Sequence, residues 1–243
     1  MDPRVVVLHE DDDLLVVNKP AGLVCHPTKG DVYSSLISRL RLFRRGEPVF
    51  LVNRLDRETS GVTVAAKSPE AAAELGRRFE SRAVAKSYLA IVHGHPSAES
   101  FVVAAPLGKD SASPVAIQDC VRPDGVPAET RFTRERCFER NGRPFTLLRA
   151  EPLTGRKHQI RIHLAHAGFP LVGDKIYGGD PGRYLRFVVG ALTDADREAL
   201  ILENQALHAG TLAFRWRDAE RVFQAPPEAP FLAFVDASDP VGP

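Results

Sequence analysis

Residues 5–17 read Val5-Val6-Val7-Leu8-His9-Glu10-Asp11-Asp12-Asp13-Leu14-Leu15-Val16-Val17. Two short β-branched runs flank an acidic turn, which is the pattern of two strands, Val5–Leu8 and Leu14–Val17. Further strands are expected at Phe50–Val52, Val62–Ala65, Lys86–Val92, Phe101–Ala104, Glu129–Arg134, Phe145–Ala150 and Leu207–Trp216. Helices are fewer. Val32–Leu42 carries Val32, Leu36 and Leu40 at helical spacing. Ser68-Pro69-Glu70 is a helix start with a Ser cap, Pro at the first position and Glu at the positive end of the dipole, and this helix should run to about Ser81. His158–Ala167, closed by Gly168, and Asp194–Glu203 complete the set. Strands outnumber helices and do not alternate with them. The expected class is therefore α+β, with flanking helices on a mostly antiparallel mixed sheet.

The chain has 243 residues, long for one domain but not enough to require two. Residues 1–225 are expected to form one domain. Residues 226–243, with Pro226, Pro227, Pro230, Pro240 and Pro243, are expected to be an extended or frayed tail. With 44% hydrophobic and 26% charged residues the composition is that of a soluble globular protein. No apolar run approaches the ~18 residues that span a bilayer, and no signal peptide is visible at Met1–Leu8. Cys25, Cys120 and Cys137 are odd in number and widely spaced, which argues against a disulfide framework and points to reducing cytoplasm. A net charge of +1 does not by itself point to nucleic acid. Local charge is less even, with basic clusters at Arg39, Arg41, Arg44 and Arg45 and at Arg77, Arg78, Arg82 and Lys86.

Three segments carry candidate chemistry. Asn53-Arg54-Leu55-Asp56-Arg57-Glu58-Thr59-Ser60-Gly61 lies between two strands, a loop with one carboxylate between two arginines. Read alone, it is more simply an ordinary turn with a surface ion pair. Lys86–Gly94 sends Tyr88, Ala90 and Val92 to one face, where a tyrosine is most simply packing. In Leu153–Leu164, Gly155 permits a sharp turn into a helix whose start is flanked by Arg156, Lys157 and Arg161, a place suited to an anion. His163 and His166 can share a helix face, but no Cys, Asp or Glu at metal-ligand spacing completes a zinc set.

Together these segments resemble the RluA family of pseudouridine synthases. Arg54-Leu55-Asp56-Arg57-Glu58-Thr59-Ser60-Gly61 is similar to that family's central motif, Lys86-x-Tyr88 to its tyrosine motif, and Gly155-Arg156-x-His158-Gln159-Ile160-Arg161-x-His163-Leu164 to its arginine motif. Asn18-Lys19-Pro20-Ala21-Gly22 and Pro170-x-Val172-Gly173-Asp174-x-x-Tyr177-Gly178 agree as well. The five segments stand in the family's order over residues 15–215. The family has His where this chain has Asn53, which can still donate and accept a hydrogen bond. Many members carry a separate N-terminal RNA-binding domain. With a first strand at Val5 that domain is expected to be absent, and substrate selection to fall to the catalytic domain.

The resemblance implies isomerisation of uridine to pseudouridine in structured RNA, ribosomal or transfer, by a cytoplasmic enzyme without cofactor or metal. Asp56 would be the catalytic carboxylate, a nucleophile or a base. Tyr88 would stack on the flipped uracil and take the carbon 5 proton, and Ile160 would close the pocket. Arg161 would pair with Asp56 through two hydrogen bonds and keep it ionised. Arg54, Arg156 and Lys157 would contact RNA. The small size favours a monomer. Two other classes are a non-catalytic RNA-binding protein, against which the presence of Asp56, Tyr88 and Arg161 counts, and a metal-dependent phosphoesterase using Asp11–Asp13, for which no coherent ligand set is present.

Overall fold

The computed structural model describes residues 5–27, 34–236 and 239–240. Its elements in chain order are β1 (Val6–Glu10), β2 (Leu14–Lys19), α1 (Leu36–Phe43), β3 (Phe50–Leu51), β4 (Ser60–Ala66), α2 (Pro69–Glu80), β5 (Val84–His93), β6 (Ser100–Ala104), β7 (Leu107–Lys109), β8 (Asp119–Val121), β9 (Glu129–Arg140), β10 (Arg143–Pro152), α3 (Gln159–His166), α4 (Gly182–Val188), α5 (Asp194–Leu200), β11 (Leu207–Trp216), β12 (Ala219–Gln224), α6 (Ala229–Asp236) and β13 (Asp239–Pro240). The described strand pairs are antiparallel except β4 with β11, so the expected mixed, mostly antiparallel α+β class holds. The chain forms two compact units that are discontinuous in sequence. One comprises the described residues up to Ser87 with His208–Glu228, and the other Tyr88–Leu207 with the described residues from Ala229.

In the first unit β2 and β4 are apolar on both faces. Leu14, Val16, Val62 and Val64 pack with Ala71 and Leu75 of α2. Leu15, Val17 and Ala65 pack with Leu36, Ile37 and Leu40 of α1. Two covered faces explain why these strands read as continuous apolar runs rather than alternating ones. Each fully buried Leu or Val there contributes about 1.5–3 kcal/mol. Helix α2 starts as expected, the Ser68 hydroxyl accepting from the Ala71 N–H at 3.1 Å with Pro69 next in line. Helix α1 begins at Leu36 with Ser35 as its cap; Val32, the first residue of the expected pattern, lies outside the described residues. Gly61, at the start of β4, has φ +119°, and a Cβ there would lie 2.3 Å from the Ala209 carbonyl oxygen of β11. Only glycine allows this approach.

In the second unit β9 and β10 form a long hairpin closed by Asn141 and Gly142, both with positive φ. That is the two-residue turn that matches strand twist, and it carries both strands beyond their expected ends. One face, with Ala90, Val92, Phe132, Leu148 and Ala150, packs on Ile160 and Leu164 of α3. The other, with Ile91, Phe138 and Phe145, packs on Phe231, Phe234 and Val235 of α6. The expected extended tail is thus corrected, since residues 229–236 are a helix. Pro230 falls in its first turn, where a missing N–H costs nothing. Its apolar residues, not its prolines, decide its fate.

Candidate active site

In the first unit, the loop between β3 and β4 presents Asp56 half-buried, with Arg54 and Arg57 exposed on either side. Three side chains fix the backbone around it, Lys19 and Cys25 buried and Asn53 partly so. Asn53 donates its amide to the Val62 carbonyl at 3.2 Å and accepts the Val64 N–H at 2.7 Å, so the side chain acts as a further rung on β4. The Leu55 N–H donates to Cys25 Sγ and the thiol donates back to the Leu55 carbonyl, each at 3.4 Å. Lys19, fully buried, donates from Nζ to the carbonyls of Pro20, Leu23 and Arg57 at 2.9, 2.8 and 3.2 Å. One ammonium therefore ties the turn after β2 to the Asp56 loop. Burial brings the Lys19 pKa down to about 8, while the nearby carboxylates of Asp56 and Glu228 oppose that fall. Just past the loop, His208 donates from Nε2 to the Ala225 carbonyl at 2.9 Å and meets the Ser60 hydroxyl at 2.9 Å through Nδ1, pinning the start of β4 to β11.

In the second unit, Arg161 of α3 is buried. Its Nε and Nη2 donate to the two carboxylate oxygens of Asp174 at 2.7 and 2.8 Å. Asp174 Oδ1 also accepts the N–H groups of Ile176 and Tyr177. Burial alone would raise the Asp174 carboxyl; the guanidinium and these donors outweigh it and hold the group below the usual carboxylate range. The Tyr177 ring lies under the guanidinium at 5.0 Å. Its hydroxyl accepts the Asp119 N–H at 3.2 Å and meets His158 Nδ1 at 2.9 Å, and burial raises its pKa. The Nε–Nη2 edge of Arg161 is thus taken by Asp174, a partner the sequence reading did not name. Asp174 and Tyr177 stood in a motif the sequence reading quoted without a role. A buried Asp spaced three residues from a Tyr was the available signal.

The first turn of α3 is held by a closed polar network. Gln159 accepts the Thr154 hydroxyl at 2.6 Å and the Arg156 N–H at 3.0 Å, and donates to the Glu129 carbonyl and the Thr130 hydroxyl, each at 2.9 Å. His163 donates to the Ala105 carbonyl at 3.0 Å, which leaves Nδ1 to accept from Thr130 at 2.9 Å. Both ring nitrogens of His163 are taken by these neighbours, and burial keeps the ring neutral. The sharp turn into α3 falls on His158, at φ 55°, and not on Gly155 as expected.

Tyr88, half-buried on β5, and Ile160 belong to one apolar cluster of the second unit. Lys157 pairs with Asp119 at 2.8 Å, and Arg156 donates from Nε to the Pro127 carbonyl at 3.3 Å, both at the surface. Among the described residues no helix is long and apolar enough to cross a membrane.

Residues 13–166 match the RNA pseudouridylate synthase family. The chain is 37% identical over 226 residues to ribosomal large subunit pseudouridine synthase C of Vibrio cholerae, covering 92% of this chain and 66% of that one. It is 38% identical over 213 residues to ribosomal large subunit pseudouridine synthase D of Xanthomonas campestris pv. campestris, covering 86% and 61%. It thus spans about two thirds of the length of such relatives. Among solved structures, human RNA pseudouridylate synthase domain containing 1 superposes with a TM-score of 0.77 at 27% identity, covering 99% of this chain and 92% of that one. The matched stretch includes Asp56, Tyr88 and Arg161, and the chain belongs to the RNA pseudouridylate synthase family.

Proposed function

We propose that the protein isomerises uridine to pseudouridine within structured RNA, and that large-subunit ribosomal RNA, which the relatives' names specify, is its substrate class. The observation that carries the role of Asp56 is how its loop is held. Lys19, Cys25 and Asn53 bind main-chain groups around Asp56, so they fix the loop without a covering ion pair from their own side chains. A carboxylate at a fixed angle is what attack on, or proton removal beside, an anomeric carbon requires.

The reaction breaks the bond from ribose to uracil N1 and forms one from ribose to C5. The proton lost from C5 is matched by one gained at N1, so the product is an isomer and the stoichiometry calls for no redox cofactor or nucleotide. The uridine must leave its stack, at a cost of a few kcal/mol, to reach Asp56. In this reading Tyr88 stacks on the detached base and takes the C5 proton, with Ile160 beside it. Arg161 serves Asp56 with the N–H groups that Asp174 leaves unused. Arg54, Arg156 and Lys157 contact the RNA backbone, which positions the substrate without reading its sequence. The enzyme acts in the cytoplasm, as a monomer.

The test is incubation of the purified chain with an unmodified transcript of large-subunit ribosomal RNA, with chelator present, followed by pseudouridine mapping at single-nucleotide level. New pseudouridine at one or a few defined positions is the expected result. No conversion, or conversion only after a divalent metal is restored, would overturn the reading.

A further inference from the structure

Arg41, His26 and Arg54 come from three separate segments of the first unit. Backbone ties bring them together. Cys25 Sγ is bonded to both main-chain groups of Leu55, which sets His26 next in chain to one anchor and Arg54 next to the other. The Cys25 carbonyl accepts the Ile37 N–H at 3.1 Å, and Val24 accepts that of Leu36, so the same segment also caps the start of α1. Arg41 lies four residues after Ile37, on the same side of that helix. All three side chains are exposed.

The neighbouring arginine is spoken for. Arg44 pairs with Glu10 at 3.3 Å and with Glu47. Among the described residues no carboxylate pairs with Arg41 or Arg54, and the charged groups that act on His26 are these two arginines, one from α1 and one from the Asp56 loop. Two like charges acting on one neutral imidazole are an unfavourable arrangement until an anion joins them.

We infer that His26, Arg41 and Arg54 form a clamp for an RNA phosphate beside the Asp56 loop, and that His26 takes up a proton when the phosphate binds. In the free protein, burial and the two arginines hold the imidazole neutral, below its usual range. A phosphodiester carries one negative charge, so it offsets part of the guanidinium charge and offers an acceptor to the imidazolium, and both effects favour the protonated ring. Proton uptake on binding means, by linkage, that binding tightens as pH falls. This rests on the reading that the substrate is RNA. It adds a residue the motifs did not single out and a proton to the binding step.

Because a phosphate contact is blind to sequence, an arbitrary RNA suffices as probe. The experiment measures binding of a fluorescein-labelled, unmodified RNA stem-loop to the full chain at fixed ionic strength, from about pH 5.5 to about pH 8, the range in which histidine titrates. Wild type should bind about three- to tenfold more tightly at the acid end, and His26→Gln should remove most of that gain. Arg41→Gln should reduce the slope of log affinity against log salt by about one. Arg217→Gln removes the same charge from an arginine held by Asp13 at 2.9 Å elsewhere in the unit, and should leave both quantities as in wild type. A His26→Gln protein with the wild-type pH dependence, or an Arg217→Gln effect equal to that of Arg41→Gln, would overturn the clamp. Proton-linked binding without any pseudouridine formation would instead refute the proposed reaction and leave the clamp standing.

Discussion

The Asp56 loop and the Arg161 turn are anchored in opposite ways. Around Asp56 the ties are a cation, a thiol and an amide, all spent on main-chain groups. Around Arg161 the tie is a second, buried carboxylate, and the guanidinium gives two of its five N–H groups to it. In the proposed reaction the difference follows from what each group would do. A carboxylate that must react has to be held through its backbone, whereas an arginine whose task is to orient can be held through its own charge. Asp174 also balances much of the Arg161 charge.

Breaking the charged anchor should have the largest effect on the fold. Asp174→Asn keeps the shape but leaves Arg161 buried without its counter-charge, which is expected to cost about 3–5 kcal/mol in urea unfolding. Arg161→Lys keeps a charge but loses the planar fork, and should lower turnover by more than its loss of stability explains. If Asp174→Asn is within about 1 kcal/mol of wild type, the contrast between the two anchors fails.

The Lys19 tie gives an intermediate effect with a distinct pH signature. Folding holds this ammonium to a pKa of about 8, against 10.5 for a lysine in water. Between those values the unfolded chain binds more protons than the folded one, so the cost of burying the charge is full below the lower value and gone above the upper. The stability of wild type relative to Lys19→Met should therefore grow by about 2 kcal/mol from about pH 8 to about pH 10. A difference that stays constant over that window would show that Lys19 is not buried as an ammonium.

Asn53 should give the smallest effect. Asn53→Ala leaves the Val62 carbonyl and the Val64 N–H without their side-chain partner, at a cost of about 1–2 kcal/mol. Turnover should fall more than RNA affinity, because the loop's aim is disturbed and its charge is not. Equal losses in both would make Asn53 a general fold contact.

Much of this was legible in the residues. Leu207–Trp216 and the Ser68-Pro69 helix start have the expected bounds because apolar alternation, as at Leu212, Phe214 and Trp216, and capping chemistry act locally. The segment Arg54–Gly61 pointed to Asp56 through resemblance, since its composition alone fitted a plain turn. Lys19 and Asp174 were hidden for one reason. Each is a charged residue whose burial depends on partners distant in sequence, Arg57 for one and Arg161 for the other. The tail was misread because its prolines were weighed above Phe231, Phe234 and Val235, which find an apolar face on a hairpin some ninety residues earlier.

The central claim is that the carboxylate of Asp56 does the chemistry while the surrounding ties only hold it. Single-turnover formation of pseudouridine by Asp56→Asn, at RNA concentrations that saturate the variant, tests it most directly. The change is nearly isosteric and leaves the main-chain ties available, so RNA binding and thermal stability should match wild type. Turnover should fall by well over about a hundredfold, as expected for an essential nucleophile or base. Turnover above about one hundredth of wild type, with binding intact, would contradict the account.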